Sequence, residues 1–134
     1  MTVELNHTIV AARDKLEAAM FLTDLLGLPA PTSFGPFLVV TLGNRVSLDF
    51  LTTTEDITPQ HYAFLVSEEE FDKIFNRIRA LQLPYWADPH HQQPGEINHR
   101  DGGRGVYFDD PNGHVLEILT RPYGSGQSSQ AQPS

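Results

Sequence analysis

Two segments of the chain open in the same way, 54 positions apart, and this echo limits the fold to one built from a duplicated unit. Leu5 to Val10 (LNHTIV) is a β-rich run that leads into Asp14-Lys15-Leu16-Glu17, an acidic variant of a helix capping box. Leu16, Ala19, Met20, Leu22, Leu25 and Leu26 follow at helical spacing, and the helix should stop at Gly27, with Pro29 just beyond. Gln60 to Val66 (QHYAFLV) is again β-rich, and Ser67-Glu68-Glu69-Glu70 is again a capping box. Phe71, Ile74, Phe75, Ile78 and Leu81 then recur on one helical face, with Pro84 as the expected stop.

Strand candidates follow each helix: Phe37 to Leu42 and Arg45 to Leu51 in the first half, Gly105 to Asp109 and His114 to Thr120 in the second. A tight turn joins each pair, at Gly43-Asn44 and at Asn112-Gly113. The pattern predicts one domain over residues 1–123, made of a module at about 4–53 and another at about 58–123. Residues 88–104 (DPHHQQPGEINHRDGGR) are an insertion in the second half, either a loop over something or a disordered flap. Residues 124–134 lack large apolar side chains and should form a flexible tail.

The echo extends to polar residues inside apolar strands. His7 corresponds to His61, and Leu48-Asp49-Phe50 corresponds to Leu116-Glu117-Ile118. Strand parity puts Leu5, His7 and Ile9 on one face, His61, Ala63 and Leu65 on another, and Val115, Glu117 and Leu119 on a third. If these faces line an interior cleft, two imidazoles and a carboxylate meet in an apolar setting and leave open positions on a divalent metal. Asp49 is then a fourth ligand or a partner to one. An unpaired carboxylate in such a strand costs several kcal/mol, which ligation removes.

Other polar residues read differently. His90, His91 and His99 lie in a polar loop and read as solvated, and His114, at the start of a strand, reads as a surface or edge residue. Tyr107 is the preferred substrate-contacting and catalytic candidate beside Glu117, with an ordinary packed strand tyrosine as the alternative. Arg104 has the opposite parity, and Arg121 reads as solvating the sheet end. Phe34, Phe37, Tyr62, Phe64 and Trp86 could wall a cleft.

Composition excludes several classes. A formal charge of −8 from 17 acidic and nine basic residues argues against nucleic-acid and anionic-membrane surfaces. Without cysteine there is no disulfide, thiolate site or Cys nucleophile. No apolar stretch reaches the length of a membrane span, and the first residues do not read as a leader, so a cytoplasmic protein is expected. Neither a phosphate-cradling glycine loop nor a Gly-x-Ser-x-Gly elbow is present, so hydride transfer and serine hydrolysis are not expected.

The runs LNHTIV with its helix and Leu26-Gly27-Leu28, QHYAFLVSEEEFD, and GVYFDDPNGHVLEIL make the chain resemble the vicinal oxygen chelate superfamily. That superfamily includes glyoxalase I, extradiol dioxygenases, fosfomycin-modifying enzymes and bleomycin-resistance proteins. The resemblance implies an α+β fold: two paired βαβββ modules forming a U-shaped, incompletely closed mixed-sheet barrel cleft, often completed in a homodimer, with a metal inside. It maps the metal ligands onto His7, His61 and Glu117, and the fourth glyoxalase-type ligand onto Asp49, where the family usually has the longer Glu. It further implies bidentate chelation of a small organic substrate's oxygens to a divalent metal, zinc, iron, nickel or manganese, in a glyoxalase-like lyase or isomerase or an extradiol-type dioxygenase. The alternative is a non-catalytic protein of the bleomycin-resistance type that sequesters a drug or metabolite in the dimer cleft. Ile9 stands where fosfomycin-modifying enzymes usually carry Thr.

Overall fold

A computed structural model describes residues 2–126 of the 134-residue chain. These residues divide into two compact units, 2–58 with Asp110–Asn112, and 59–109 with 113–126.

The first unit runs β1 (His7–Ala12), α1 (Lys15–Leu26), β2 (Thr32–Phe34), β3 (Phe37–Thr41) and β4 (Ser47–Thr52), the expected βαβββ order. Asp14 caps α1 by accepting from the backbone N–H groups of Leu16 and Glu17 at 2.9 and 3.3 Å. Gly27 ends it in the left-handed region (φ 70°), where a side chain would be strained. The sheet order is β1-β4-β3-β2, with β1 parallel to β4 and the other pairs antiparallel. Val10, Ala12, Val40, Leu48 and Phe50 share one sheet face and are buried, as are Ala18, Ala19, Leu22 and Leu25 of α1. In the β3–β4 turn the left-handed residue is Arg45 (φ 72°) rather than the Gly43-Asn44 pair, and Asn44 accepts from Val46 N–H at 3.4 Å.

The second unit runs β5 (His61–Leu65), α2 (Glu68–Ala80), β6 (Gly105–Asp109) and β7 (Val115–Leu119). Both arms of the Ser67/Glu70 capping box form: Glu70 N–H donates to Ser67 Oγ at 3.0 Å, and Ser67 N–H donates to Glu70 Oε1 at 2.9 Å. Helix α2 stops at Ala80, before Pro84, because Gln82 turns left-handed (φ 57°) and Leu83 N–H closes back onto Ile78 O at 3.0 Å. The sheet order is β5-β7-β6, with β5 parallel to β7 and β6 antiparallel to it. Val106, Phe108, Leu116 and Ile118 form its buried apolar face, and Phe71, Ile74 and Ile78 of α2 are buried with them in the core.

The second strand of this module, the counterpart of β2, is reduced to Trp86. That residue exchanges two backbone hydrogen bonds with Tyr107, at 2.9 and 2.8 Å, and bridges to Pro94 on its other side. Its ladder with β6 goes no further, because Pro84 on one side has no N–H to donate and Gly105 on the other pairs with Asn98 instead. The 88–104 insertion is an ordered loop: Asp88 accepts from the N–H groups of His90, Gln92 and Gln93, Asn98 Nδ2 donates to Ala87 O at 2.9 Å, and a 3-10 turn spans Arg100–Gly102. The β6–β7 turn is set by Asp110, which accepts from Asn112 N–H at 2.8 Å, and by Gly113 at φ 86°. Of the expected tail, Gly124 and Gly126 donate to the Asp101 carboxylate at 3.1 and 3.0 Å, and residues 127–134 lie outside the described residues. No helix among the described residues is long and apolar enough to cross a membrane.

The capping box gives a direct test of the local code. Ser67→Ala should lower unfolding stability by about 1 kcal/mol, read from the urea midpoint at unchanged slope, while Ser67→Asp should retain most of it.

Candidate functional site

Strands β5 and β7 run parallel with His61 opposite Val115 and Ala63 opposite Glu117. All four residues share one sheet face, so the His61 ring reaches diagonally toward the Glu117 carboxylate two positions up. His61 Nε2 lies 3.2 Å from Glu117 Oε1. The His61 side chain is 47% exposed, whereas that of Glu117 is 1% exposed, so an open ring stands over a buried acid. His61 Nδ1 is 3.0 Å from Val115 O. A carbonyl only accepts, so Nδ1 carries the proton of that bond. In a neutral ring Nε2 is then a lone pair facing a carboxylate oxygen, an arrangement that needs a proton or a metal cation between the two. The donor chemistry of this pair therefore fits a divalent metal.

The second oxygen of Glu117 is occupied from another direction. Tyr123 Oη donates to Oε2 at 2.5 Å, and the Tyr107 and Tyr123 hydroxyls are 2.8 Å apart. Arg100 Nη1 donates to Tyr107 Oη at 2.8 Å and to Tyr123 Oη at 3.4 Å. Tyr107 is opposite Glu117 across β6–β7, is only 2% exposed, and stacks on His61 with centroids 5.9 Å apart. Tyr123 is 57% exposed and presents its ring at the edge of this group. Burial, followed by the hydrogen bond to the Glu117 carboxylate, pushes the Tyr123 phenol well above its ordinary value. Burial works against the Arg100 cation, but the bond to Tyr107 and its neighbour Tyr123 hold its pKa above the usual value.

The first unit repeats the frame with different occupants. His7 is opposite Ser47 and Ile9 is opposite Asp49, the same offset as in the second unit. His7 is exposed, and its Nδ1 donates to Asn6 Oδ1 at 2.7 Å, which leaves the Nε2 lone pair as its remaining donor atom. Asp49 is buried and accepts from Ser47 Oγ at 2.9 Å. Among the described residues, no group of three or more His, Asp or Glu side chains is clustered so as to hold a metal ion.

Several sequence expectations change here. His114 is buried, not a surface residue: its Nδ1 accepts from Gln60 N–H at 3.0 Å and its ring meets Tyr62 edge-on. His91 is not simply solvated, because it stacks on Trp86 at 3.5 Å between centroids and lies 3.4 Å from Asp109. Phe34 is exposed. Arg104, as its parity predicts, turns to α2, where it pairs with Glu68 and Asp72 at 2.8 Å and lies over the Phe71 ring. Arg121 donates to Ser125 O. Sequence reading missed Arg100 and Tyr123. One is in a polar insertion and the other follows a Pro beyond the last strand, and neither has periodicity to mark it.

The family description "Glyoxalase/Bleomycin resistance protein/Dioxygenase superfamily" matches residues 4–118. The solved structure "Oxidase ChaP-H2" is 67% identical, covers 95% of this chain and 100% of its own, and superposes with a TM-score of 0.92. "Oxidase ChaP-H1" is 63% identical, covers 92% and 99%, and gives 0.90. The "Glutathione transferase FosA" of Serratia marcescens is 29% identical over 124 residues, 88% of this chain and 81% of that protein.

The raised phenol has a measurable consequence. A folded pKa above the ordinary 10.0 favours the fold fully below that value, and the contribution fades as the pH climbs past it. In an ultraviolet titration Tyr123 should ionise well above the ordinary phenol value or only on unfolding, and Glu117→Gln should bring it earlier. Titration of Tyr123 at the ordinary phenol value in the wild-type fold would contradict the geometry.

Proposed function

Because the chain belongs to the glyoxalase/bleomycin resistance protein/dioxygenase superfamily, we propose that it is a metal-dependent oxidase acting on a small organic substrate. The reading is carried by the His61–Glu117 pair: an imidazole whose Nδ1 is committed to a carbonyl turns its Nε2 toward one oxygen of a buried carboxylate at 3.2 Å. The identity of 63–67% to two proteins named as oxidases favours oxidation over the thiol transfer named for the relative at 29%.

His61 and Glu117 are two of the ligands, and His7 is the third. His7 is prepared in the same way, with Nδ1 held by Asn6 and the Nε2 lone pair left for a ligand bond. We assign this His7 to a second copy of the chain in a homodimer. Asp49, shorter than Glu117 and already held by Ser47, supplies negative charge near His7 rather than a bond. Bound there, the metal would polarise vicinal oxygens of the substrate, and redox chemistry points to iron or manganese rather than zinc. The exposed ring of Tyr123 offers the substrate an aromatic face beside the ligands, and the buried Tyr107 stacks on His61 and fixes its ring plane.

Calorimetric titration of tag-free protein with manganese(II) tests the ligand set. Wild type should bind, and His61→Ala, Glu117→Gln and His7→Ala should each weaken binding by more than the roughly 10–100-fold that outer-shell changes cost. Oxygen uptake by the iron(II) form with aromatic vicinal diols or hydroxyketones tests the reaction class. Binding unchanged in all three variants would overturn the ligand set, and thiol addition without oxygen uptake would overturn the oxidase reading.

A further inference from the structure

The hydrogen bonds around Glu117 leave no freedom of direction. An ionised carboxylate only accepts, so the single Tyr123 proton points to Glu117 Oε2. Tyr123 Oη must then accept from Tyr107, whose own proton is used in that bond. Tyr107 Oη accepts in turn from Arg100, which can only donate. Protons thus run one way, Arg100 to Tyr107 to Tyr123 to Glu117, from a cation to an anion through two hydroxyls. Arg100 has no carboxylate within ion-pair distance among the described residues, so Glu117 is the acid it serves, at one remove.

We propose that Arg100, Tyr107 and Tyr123 are positioning residues that cap Glu117 Oε2 and so reserve Oε1 as the single oxygen offered toward His61 Nε2. The inference rests on the reading of Glu117 as a metal ligand and deepens it. A carboxylate with both oxygens free can swing or bind through both. One with Oε2 held at 2.5 Å can offer only the other, already aligned with the imidazole. The chain also brings positive charge toward a carboxylate buried in an apolar strand, where isolated charge is costly. Two features outside the strands gain a purpose. The 88–104 insertion carries Arg100 on its 3-10 turn, and the segment after β7 carries Tyr123 back over the sheet.

Titration of metal-free protein with zinc(II) alone tests this without any turnover. Tyr123→Phe keeps the ring and removes the cap, and should weaken zinc binding by roughly 10–100-fold. Arg100→Met and Tyr107→Phe should each weaken it by about tenfold at most, and Arg100→Lys should restore part of the Arg100→Met loss, because an ammonium can still donate. Combining Arg100→Met with Tyr123→Phe should cost no more than Tyr123→Phe alone, because Arg100 acts only through that hydroxyl. A merely structural role would lower the melting temperature and give additive losses. If Glu117→Gln weakens zinc binding while Tyr123→Phe binds like wild type, or if the losses add, the positioning chain is wrong and the ligand reading stands. If Glu117→Gln and His61→Ala bind like wild type, the ligand reading itself falls. Should Arg100→Met fail to fold, Arg100→Lys and the two isosteric Tyr→Phe variants still decide the matter.

Discussion

A carboxylate held in the middle strand of an apolar sheet must have every lone pair answered, and the second unit is arranged around answering those of Glu117. Its two oxygens are treated differently. Oε2 is closed by the Tyr123 phenol, and Oε1 faces the outward ring of His61. The parallel pairing of β5 with β7 makes this possible, because it sets His61 diagonally below Glu117 on the same face, with Ala63 and Val115 at the other two corners. A larger side chain at Ala63 would stand directly opposite the acid. The buried face behind it, Val106, Phe108, Leu116 and Ile118, fixes the register: a slip of one residue would put Glu117 into that core.

The duplication was legible because it is written in local signals. Capping residues before each helix, the Gly27 stop and the Asn112-Gly113 turn all act within a few positions of themselves, and the structure uses each. Strand parity separated Arg104 from Tyr107 correctly for the same reason. The second strand of the second module shrinks to Trp86 for one reason that is local, the missing N–H of Pro84, and one that is not, the pairing of Gly105 with Asn98 across a loop that closes back.

Long-range partners were not legible. His114 looked like a strand-end residue because its partner, the backbone N–H of Gln60, is 54 positions away. His91 gave no sign that it would stack on Trp86. Arg100 and Tyr123 have no pattern at all in sequence, since each is delivered by an irregular segment whose path is set by single contacts, such as Asp101 accepting from Gly124 and Gly126. Regular strands placed the acid and the imidazole, and irregular segments brought the groups that orient them.

The two halves then diverge at one small position. Ser47 in β4 and Val115 in β7 hold the same place in their sheets, each opposite a histidine and two residues before an acid. Ser47 gives Asp49 a hydroxyl from the same strand, so the first acid is satisfied locally. Val115 gives Glu117 nothing but its backbone carbonyl, and that carbonyl instead takes the His61 Nδ1 proton. The second acid therefore has to recruit partners from β5 and from beyond β7, and its longer side chain reaches them. An acid quenched by its own strand is a structural group. One left dependent on an exposed imidazole and a phenol at the sheet edge keeps one oxygen turned toward that imidazole, and the proposed ligand set therefore takes its acid from the second copy of the repeat.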